Sequence, residues 1–172
     1  MAREKLPFTI SFVAAASNSG KTTLIEKIVP MLKSRGLRVA VIKHAPGGFS
    51  LDHQGKDSWR FRQAGADTVI LVGPGNIAIM KQTGGEATSA DLERMTTDVD
   101  IAILEGFKQK SNNRIEVYRH GVSGTRPLCL DDQYFLALVS DKPFDVNVPR
   151  FDLNDAAGVA QFICNRVQDN DT

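Results

Sequence analysis

The feature that most constrains the fold of this chain is a short loop between an apolar run and an amphipathic helix. The run covers residues 9–15 (TISFVAA), as is typical of a strand buried on both faces, and the helical pattern covers residues 21–34. The sequence AASNSGKTT, residues 15–23, connects the two. Small residues let several backbone amides point into one concavity, and the helix N-terminus adds partial positive charge there. The sequence therefore predicts a phosphate-binding loop on an α/β scaffold.

Seven residues of this loop are candidate ligands of a nucleotide. They are Ser17, Asn18, Ser19, Gly20, Lys21, Thr22 and Thr23. We expect Lys21 to reach the β- and γ-phosphates and the Thr22 hydroxyl to ligate Mg²⁺. The pattern GxxxxGK[ST] has a glycine where Ala15 stands, but Ala is small and Asn18 tolerates a left-handed backbone. The alternative is a chance SGKT at a helix start, which would not explain its place after a buried strand.

A second element of the site is predicted where another buried strand ends. Residues 101–104 are apolar and are followed by Glu105, whose carboxylate would hold Mg²⁺ directly or through water. We assign Lys21 and Glu105 to catalysis, and Thr22 and Glu105 to the metal. The backbone amide of Gly106 is a candidate donor to a γ-phosphate. The alternative for Glu105 is an ordinary charge at a strand end.

The segment 44–56 is rich in Gly and Pro and predicts a loop with further candidates. We select Asp52 as a carboxylate that joins the Mg²⁺ shell or orients water. Asp57 begins a predicted short helix, and its alternative role is an N-cap. His44 and His53 are separated by this loop and no third ligand accompanies them, so the sequence does not favour zinc.

A segment that follows the last predicted core strand is a candidate for recognition of the nucleotide base. A guanine-reading NKxD element is absent, and Ser-Asp-Lys-Pro at residues 140–143 stands in the analogous place. The carboxylate of Asp141 could accept hydrogen bonds from the N1 and N2 donors of guanine, although the segment also fits a simple turn. Trp59 could stack on a heterocycle, but such aromatic residues more often belong to the core.

The rest of the pattern predicts a single nucleotide-binding domain over residues 1–172, a mostly parallel sheet with helices on both faces. Further strands are predicted at 39–42, 68–72, 77–80, 114–118 and 135–139, and Asn154 or Asp155 is predicted to cap a final helix. The turn residues GPGN between the third and fourth strands predict a hairpin and an antiparallel edge. The alternating segment 114–118 predicts an edge strand. The hairpin and this strand are both candidates for pairing between subunits.

Charge and composition exclude several classes of protein. The 21 Lys and Arg nearly balance the 20 Asp and Glu, so bulk electrostatics would not hold the chain on nucleic acid or a membrane. The hydrophobic fraction of 42% and the charged fraction of 24% are typical of soluble domains. Cys129 and Cys164 form no CxxC pair, which favours thiols in a reducing compartment. With no secretory signal and no spanning apolar run, we expect a cytoplasmic protein.

Several stretches together resemble the MobB family, small P-loop proteins of molybdopterin-guanine dinucleotide biosynthesis. The stretches are SNSGKTTLIEKIVP (17–30), VIKH (41–44), LDHQGKDSWRFRQAGA (51–66), ILEGFK (103–108), VSDKP (139–143) and FDLNDAAGVAQFI (151–163). GKDS followed by AGA, and EGFK, are more specific than the phosphate-binding loop itself. Family members often carry further histidines after the KH pair, but this chain has residues APGG at 45–48, so a role of that cluster does not carry over.

The resemblance implies a GTP-binding accessory protein that forms a homodimer. Its partner would be a MobA-type transferase, which joins GMP from GTP to molybdopterin, and molybdopterin itself is a candidate ligand. The family's phosphate loop matches Gly20 to Thr23, its EGFK acid matches Glu105, and its GKDS region matches Asp52 and Asp57. We expect GTP and Mg²⁺ as cofactors, and neither nucleic acid nor membrane as a partner.

We expect at most weak Mg²⁺-dependent GTPase activity, because the sequence shows no arginine finger and no strong water-orienting residue. Arg114, Arg119 and Arg126 are candidates only if a partner or a second subunit places them. The alternative function is a small-molecule kinase, which would need an Arg-rich lid near an acceptor pocket. A scaffold with a relict nucleotide site is disfavoured by the intact Gly20, Lys21 and Thr22.

Overall fold

The computed structural model describes residues 6–107 and 112–170. It divides into two compact units, a larger one of Met1–His44 with Leu92–Thr172 and a smaller one of Ala45–Asp91. One nucleotide-binding domain over residues 1–172 stays a prediction, because two compact units do not show whether either folds alone. Lys108 of the EGFK stretch lies outside the described residues.

Strands and helices alternate along residues 8–73. The strands are β1 Phe8–Val13, β2 Val39–Lys43, β3 Thr68–Gly73, β4 Asn76–Lys81, β5 Ile101–Glu105, β6 Arg114–Tyr118, β7 Phe135–Ser140 and β8 Arg150–Phe151. The helices are α1 Lys21–Lys33, α2 Asp57–Gln63, α3 Ser89–Arg94 and α4 Ala156–Asp169, with one 3-10 turn at Leu128–Leu130. In the described part of the chain, no helix combines the length and the apolar character needed to span a membrane.

The larger unit is built on a six-stranded sheet in the order β2-β5-β1-β6-β7-β8, and every neighbouring pair is parallel. Parallel strands carry their carboxyl ends to one edge of the sheet. The register places Glu105 of β5 beside Phe12 of β1 and Lys43 of β2. The three strands that precede the candidate site residues therefore end side by side.

Helices α1 and α4 cover one face of this sheet and pack against each other. From β1, Phe8, Ile10 and Phe12 point into this core. The amphipathic helix predicted over residues 21–34 is confirmed, since α1 buries Leu24, Ile25, Ile28 and Leu32. Burial of a Leu side chain contributes about 1.5–3 kcal/mol to the free energy of folding. This packing therefore holds the start of α1 beside β1.

The opposite face of the sheet carries the 3-10 turn and corrects one prediction. The segment 114–118 is not an edge strand, because β6 lies between β1 and β7. Its alternating polar residue, Glu116, is fully buried and accepts hydrogen bonds from the backbone amides of Leu128 and Cys129, both at 2.9 Å. The alternation thus reflects a buried acceptor on the second face of the sheet, and β6 offers no free edge for pairing between subunits.

The smaller unit contains the loop, α2 and a hairpin. Strands β3 and β4 pair antiparallel with Ile70 opposite Ile79, which confirms the hairpin. Gly75 has φ of +78°, a left-handed conformation that glycine adopts without a steric cost. The two strands form a sheet of their own, so the expectation that they make an antiparallel edge of the main sheet is wrong.

Candidate functional site

The phosphate-binding loop has the backbone geometry that its sequence predicts. Strand β1 ends at Val13 and α1 begins at Lys21. Asn18 has φ of +61° and Gly20 has φ of +98°, and Asn18 is the only non-glycine residue with positive φ in the described ranges. Asn tolerates this region better than most residues because its short polar side chain bonds locally. Asn18 therefore adopts the left-handed conformation that this residue type was expected to tolerate.

The N-terminus of α1 is left without a side-chain cap. Gly20 occupies the N-cap position, and the first turn of the helix holds no acidic residue. The first amides of a helix need acceptors from outside it, and their partial positive charge favours an anion. The geometry therefore suits binding of phosphate oxygens at this end of α1.

Ser19 and Lys21 use their side chains within the loop. The Ser19 hydroxyl is fully buried, donates to the Ala16 carbonyl at 2.9 Å and lies 3.0 Å from the Ser123 hydroxyl. The side chain of Ser19 is thus structural, and a nucleotide contact from this residue would come from its backbone. The Lys21 ammonium donates to the Ala16 carbonyl at 3.5 Å and so lies folded across the loop.

Thr22 and Glu105 lie together, as the sequence predicts. The Thr22 hydroxyl donates to Oε1 of Glu105 at 2.6 Å, and the Lys43 ammonium lies 3.6 Å from Oε2. The side chain of Glu105 is 12% exposed, so its carboxylate is reachable but mostly shielded from water. The pairing with Lys43 follows from the parallel register of β2 and β5, which the sequence did not predict.

Gly106 and Asp141 have partners that differ from the predicted ones. The Gly106 amide donates to the Phe12 carbonyl at 3.3 Å, so the predicted γ-phosphate contact would require this bond to be exchanged. The Asp141 carboxylate accepts from the His120 amide at 2.9 Å. Ser140 closes a turn with Lys142, accepting from its amide and donating to its carbonyl. Asp141 therefore anchors the loop after β6, and its reading of guanine stays a prediction.

Asp52 belongs to the smaller unit, where it organises the start of α2. Its Oδ1 accepts from the Ser58 hydroxyl at 2.9 Å and from the His53 amide at 3.0 Å. Its Oδ2 is buried and has no hydrogen-bond partner among the residues that the structure describes. The alternative reading of Asp57 as N-cap is wrong, since Lys56 occupies that position and Asp57 lies in the first turn.

Arg119 of the same chain lies in this region, although the sequence indicated an arginine here only from a partner or a second subunit. A Cβ atom added to Gly20 would lie 3.2 Å from Nη2 of Arg119, so the guanidinium lies against the phosphate-binding loop. Arg114 and Arg126, the other two arginines considered, form ion pairs with Asp132 and Asp131 at 2.8 Å and 2.9 Å. No spacing in the sequence relates residue 119 to residue 20, because the contact depends on the order of β1 and β6.

Comparison with known proteins identifies close relatives over most of the chain. The family model MobB, molybdopterin guanine dinucleotide synthesis protein B, matches residues 9–141. A molybdopterin-guanine dinucleotide biosynthesis adapter protein of Haemophilus influenzae is 37% identical over 155 residues, which cover 89% of this chain and 86% of the relative. The protein of the same name from Escherichia coli is 36% identical over 160 residues, covering 90% and 91%.

Solved structures show the same fold. A crystal structure of molybdopterin-guanine biosynthesis protein B aligns with a TM-score of 0.71 and 29% identity, covering 94% of this chain and 99% of that chain. The crystal structure of Bacillus subtilis MobB aligns with a TM-score of 0.68 and 21% identity, covering 92% and 96%. At that lower identity the likeness supports the fold alone.

Proposed function

This chain belongs to the MobB family, molybdopterin guanine dinucleotide synthesis protein B, and we propose that it is a GTP-binding accessory protein of molybdenum cofactor biosynthesis. In this function it assists a MobA-type transferase that attaches GMP to molybdopterin. The term adapter in the names of its relatives supports a helper that acts through a partner. Its own GTPase activity is weak at most.

The observation that carries the proposal is the short contact between Thr22 and Glu105 at the uncapped end of α1. The hydroxyl that would ligate Mg²⁺ and the acid at the end of β5 are 2.6 Å apart. In P-loop proteins a hydroxyl and an acid at these two places hold the Mg²⁺ that accompanies the phosphates. Lys21 and the N-terminus of α1, which has no side-chain cap, would supply positive charge for the phosphates, although the net charge of the chain is only +1.

The oxygen donors present fit Mg²⁺. This ion usually takes one or two carboxylates together with water and substrate phosphates, so a closed cage of protein ligands is not needed. Within the described ranges, no three His, Cys, Asp or Glu side chains cluster as a metal site. Thr22 and Glu105 of the larger unit would hold the ion. The assignment of Asp52 to the metal stays a prediction. When bound, Mg²⁺ would neutralise phosphate charge.

The preference for GTP rests on the family and on Asp141. The described turn at residues 140–142 holds the Asp141 backbone in place, and the side chain is exposed. A carboxylate accepts two hydrogen bonds from the N1 and N2 donors of guanine, whereas adenine offers no matching pair of donors. A competition measurement between GTP and ATP tests the preference for GTP. Equal affinities of the two nucleotides would contradict recognition of the base by Asp141.

The hairpin supports a homodimer. Val72, Ile77 and Ile79 are 78%, 66% and 61% exposed, and a two-stranded hairpin alone is marginal in water. Exposed apolar strands with free edges favour pairing with another chain. We therefore infer that a second copy covers β3 and β4. Gel filtration with light scattering should give a dimer mass, and Ile77→Glu should shift it to the monomer, while Lys27→Glu on the exposed side of α1 should not.

The deciding experiment measures dinucleotide formation by a purified MobA-type transferase with GTP, Mg²⁺ and molybdopterin. Added wild-type protein should raise the yield, and folded Lys21→Ala protein should not, because the loop lysine is lost. An equal yield with both proteins would refute a role of the nucleotide site. Transfer of the γ-phosphoryl group to a small acceptor would instead support the alternative function, a small-molecule kinase.

A further inference from the structure

We propose that Arg119 is a phosphate-binding residue of the nucleotide site, supplied by the same chain that carries the phosphate-binding loop. The proposal rests on the GTP-binding function above and deepens it. It adds to the loop a cationic side chain that the motif itself does not contain. From the sequence, an arginine at this site was expected only from a partner or a second subunit.

The position of the guanidinium carries the proposal. A Cβ atom on Gly20 would stand 3.2 Å from Nη2 and 4.0 Å from Nε of Arg119. Gly20 is the N-cap of α1, so the guanidinium lies beside the helix end whose amides lack a side-chain cap. Glycine at this position leaves the space that the guanidinium occupies. A phosphate group received by the loop would therefore have Arg119 at its side.

The other two arginines of this part of the chain are already paired. Arg114 and Arg126 each lie within 3 Å of a carboxylate, at 2.8 Å from Asp132 and at 2.9 Å from Asp131. Across residues 6–107 and 112–170, no carboxylate forms an ion pair with Arg119. Its charge therefore remains available to an anion, whereas the charges of Arg114 and Arg126 are neutralised locally.

The backbone of Arg119 is fixed to the phosphate-binding loop. Its amide donates to the Ser123 hydroxyl at 3.0 Å, and that hydroxyl lies 3.0 Å from the buried hydroxyl of Ser19. The next residue, His120, donates its amide to Asp141 at 2.9 Å. One short loop thus joins the phosphate-binding loop to the turn that carries the predicted guanine reader. Such support positions a side chain for binding at little entropic cost.

The chemistry of guanidinium fits this role. Its planar fork donates two parallel hydrogen bonds to phosphate oxygens, and charge-assisted bonds of this kind are the stronger class. A triphosphate presents more negative charge beside Gly20 than a monophosphate does. Arg119 should therefore favour GTP over GMP, and its loss should weaken GTP binding more than GMP binding.

The experiment measures the dissociation constants of GTP and GMP, with Mg²⁺, for the full chain by calorimetry. We expect Arg119→Gln to weaken GTP binding about 10-fold or more, as loss of a charge-assisted hydrogen bond implies. The GMP constant should change by less than about 3-fold, in line with an interaction made chiefly to the outer phosphates. Arg119→Lys should recover part of the loss, because it keeps the charge without the fork.

Matched controls separate this proposal from its premise. Arg126→Gln removes an exposed arginine that is paired elsewhere, and it should leave both constants unchanged. If the Lys21→Ala protein binds GTP like the wild type, the assignment of the nucleotide site is wrong. If Lys21→Ala loses binding but Arg119→Gln does not, only the role of Arg119 is overturned. Equal losses for GTP and GMP would also overturn it, as they indicate a structural role; Arg119→Met provides the same test if the Gln variant is unstable.

Discussion

Two acidic side chains on strands that flank β1 have opposite surroundings. Glu105 is the last residue of β5 and contacts a hydroxyl and an ammonium group, Thr22 at 2.6 Å and Lys43 at 3.6 Å. Glu116 lies in the middle of β6 and binds two backbone amides of the 3-10 turn at 2.9 Å. A carboxylate at a strand end can exchange its side-chain partners for a metal ion, whereas the two backbone amides that bind Glu116 are fixed within the turn. The same residue type is therefore proposed to bind a ligand at one place and supports the fold at the other.

The strongest test of this comparison is Glu116→Ala. The change removes the acceptor of two amides in half-buried residues, Leu128 and Cys129, and an unsatisfied group shielded from water costs about 1–3 kcal/mol. We expect the free energy of unfolding to fall by roughly 2–6 kcal/mol, measured by urea denaturation. GTP affinity of the folded fraction should stay unchanged. A loss of less than about 1 kcal/mol would show that the 3-10 turn does not depend on Glu116.

A second test is Glu105→Gln, which keeps the size of the side chain and removes its charge. Mg²⁺ prefers ionised carboxylates, so we expect the Mg²⁺-dependent part of GTP affinity to fall about 10-fold, or about 1.4 kcal/mol. Stability should change by less than about 0.5 kcal/mol, because Lys43 is mostly exposed and its ion pair contributes little. Thermal denaturation provides this control. Equal GTP affinity with and without Mg²⁺ in both proteins would contradict the metal assignment.

The smallest expected effect is on the alkylation rate of the Cys129 thiol, which depends on the nearby charge of Glu116. Burial, followed by the nearby charge of Glu116, raises the pKa of the Cys129 thiol to about 12. A folded-state pKa above that of the unfolded chain stabilises the fold below the unfolded value, and this contribution is lost as pH rises toward 12. Thiol alkylation at pH 9 should therefore be slower in the folded protein than in urea.

Glu116→Gln sharpens the same comparison. Removal of the carboxylate charge should lower the pKa of Cys129 and speed its alkylation, with Cys164→Ala in the background so that one thiol reacts. Glu105→Gln is the matched control, since it removes an equal charge at the other site and should leave the rate unchanged. A similar rate in all three proteins would mean that burial alone governs the thiol.

The functional motif was more predictable from sequence than the sheet around it. The phosphate-binding loop is a local structure, so neighbouring residues were enough to predict that Asn18 and Gly20 belong to a loop and that a helix begins directly after it. Glu105 was predicted because an acid directly after an apolar strand marks a strand end. The edge position of β6 was predicted wrongly, because an alternating polar residue has the same appearance in sequence whether water or a buried amide satisfies it.

Contacts between distant residues could not be predicted for a related reason. Arg119 reaches Gly20, and Asp141 binds His120, only because a parallel sheet places the loops after β1, β6 and β7 at one edge. The Gly106 amide was assigned to phosphate, but the register of β1 and β5 brings it to the Phe12 carbonyl. Backbone amides carry no sequence signal of their partners.

The sequence by itself determined the α/β class, the phosphate-binding loop and the family, because each depends on residues within one element or on short motifs. The tertiary structure alone decided the strand order, the burial of Glu116 and the position of Arg119. These features depend on which strands become neighbours, and that choice reflects packing summed over the whole core. Local sequence supplied groups of the kind that can bind a phosphate, and long-range packing decided which of these groups lie close to one another.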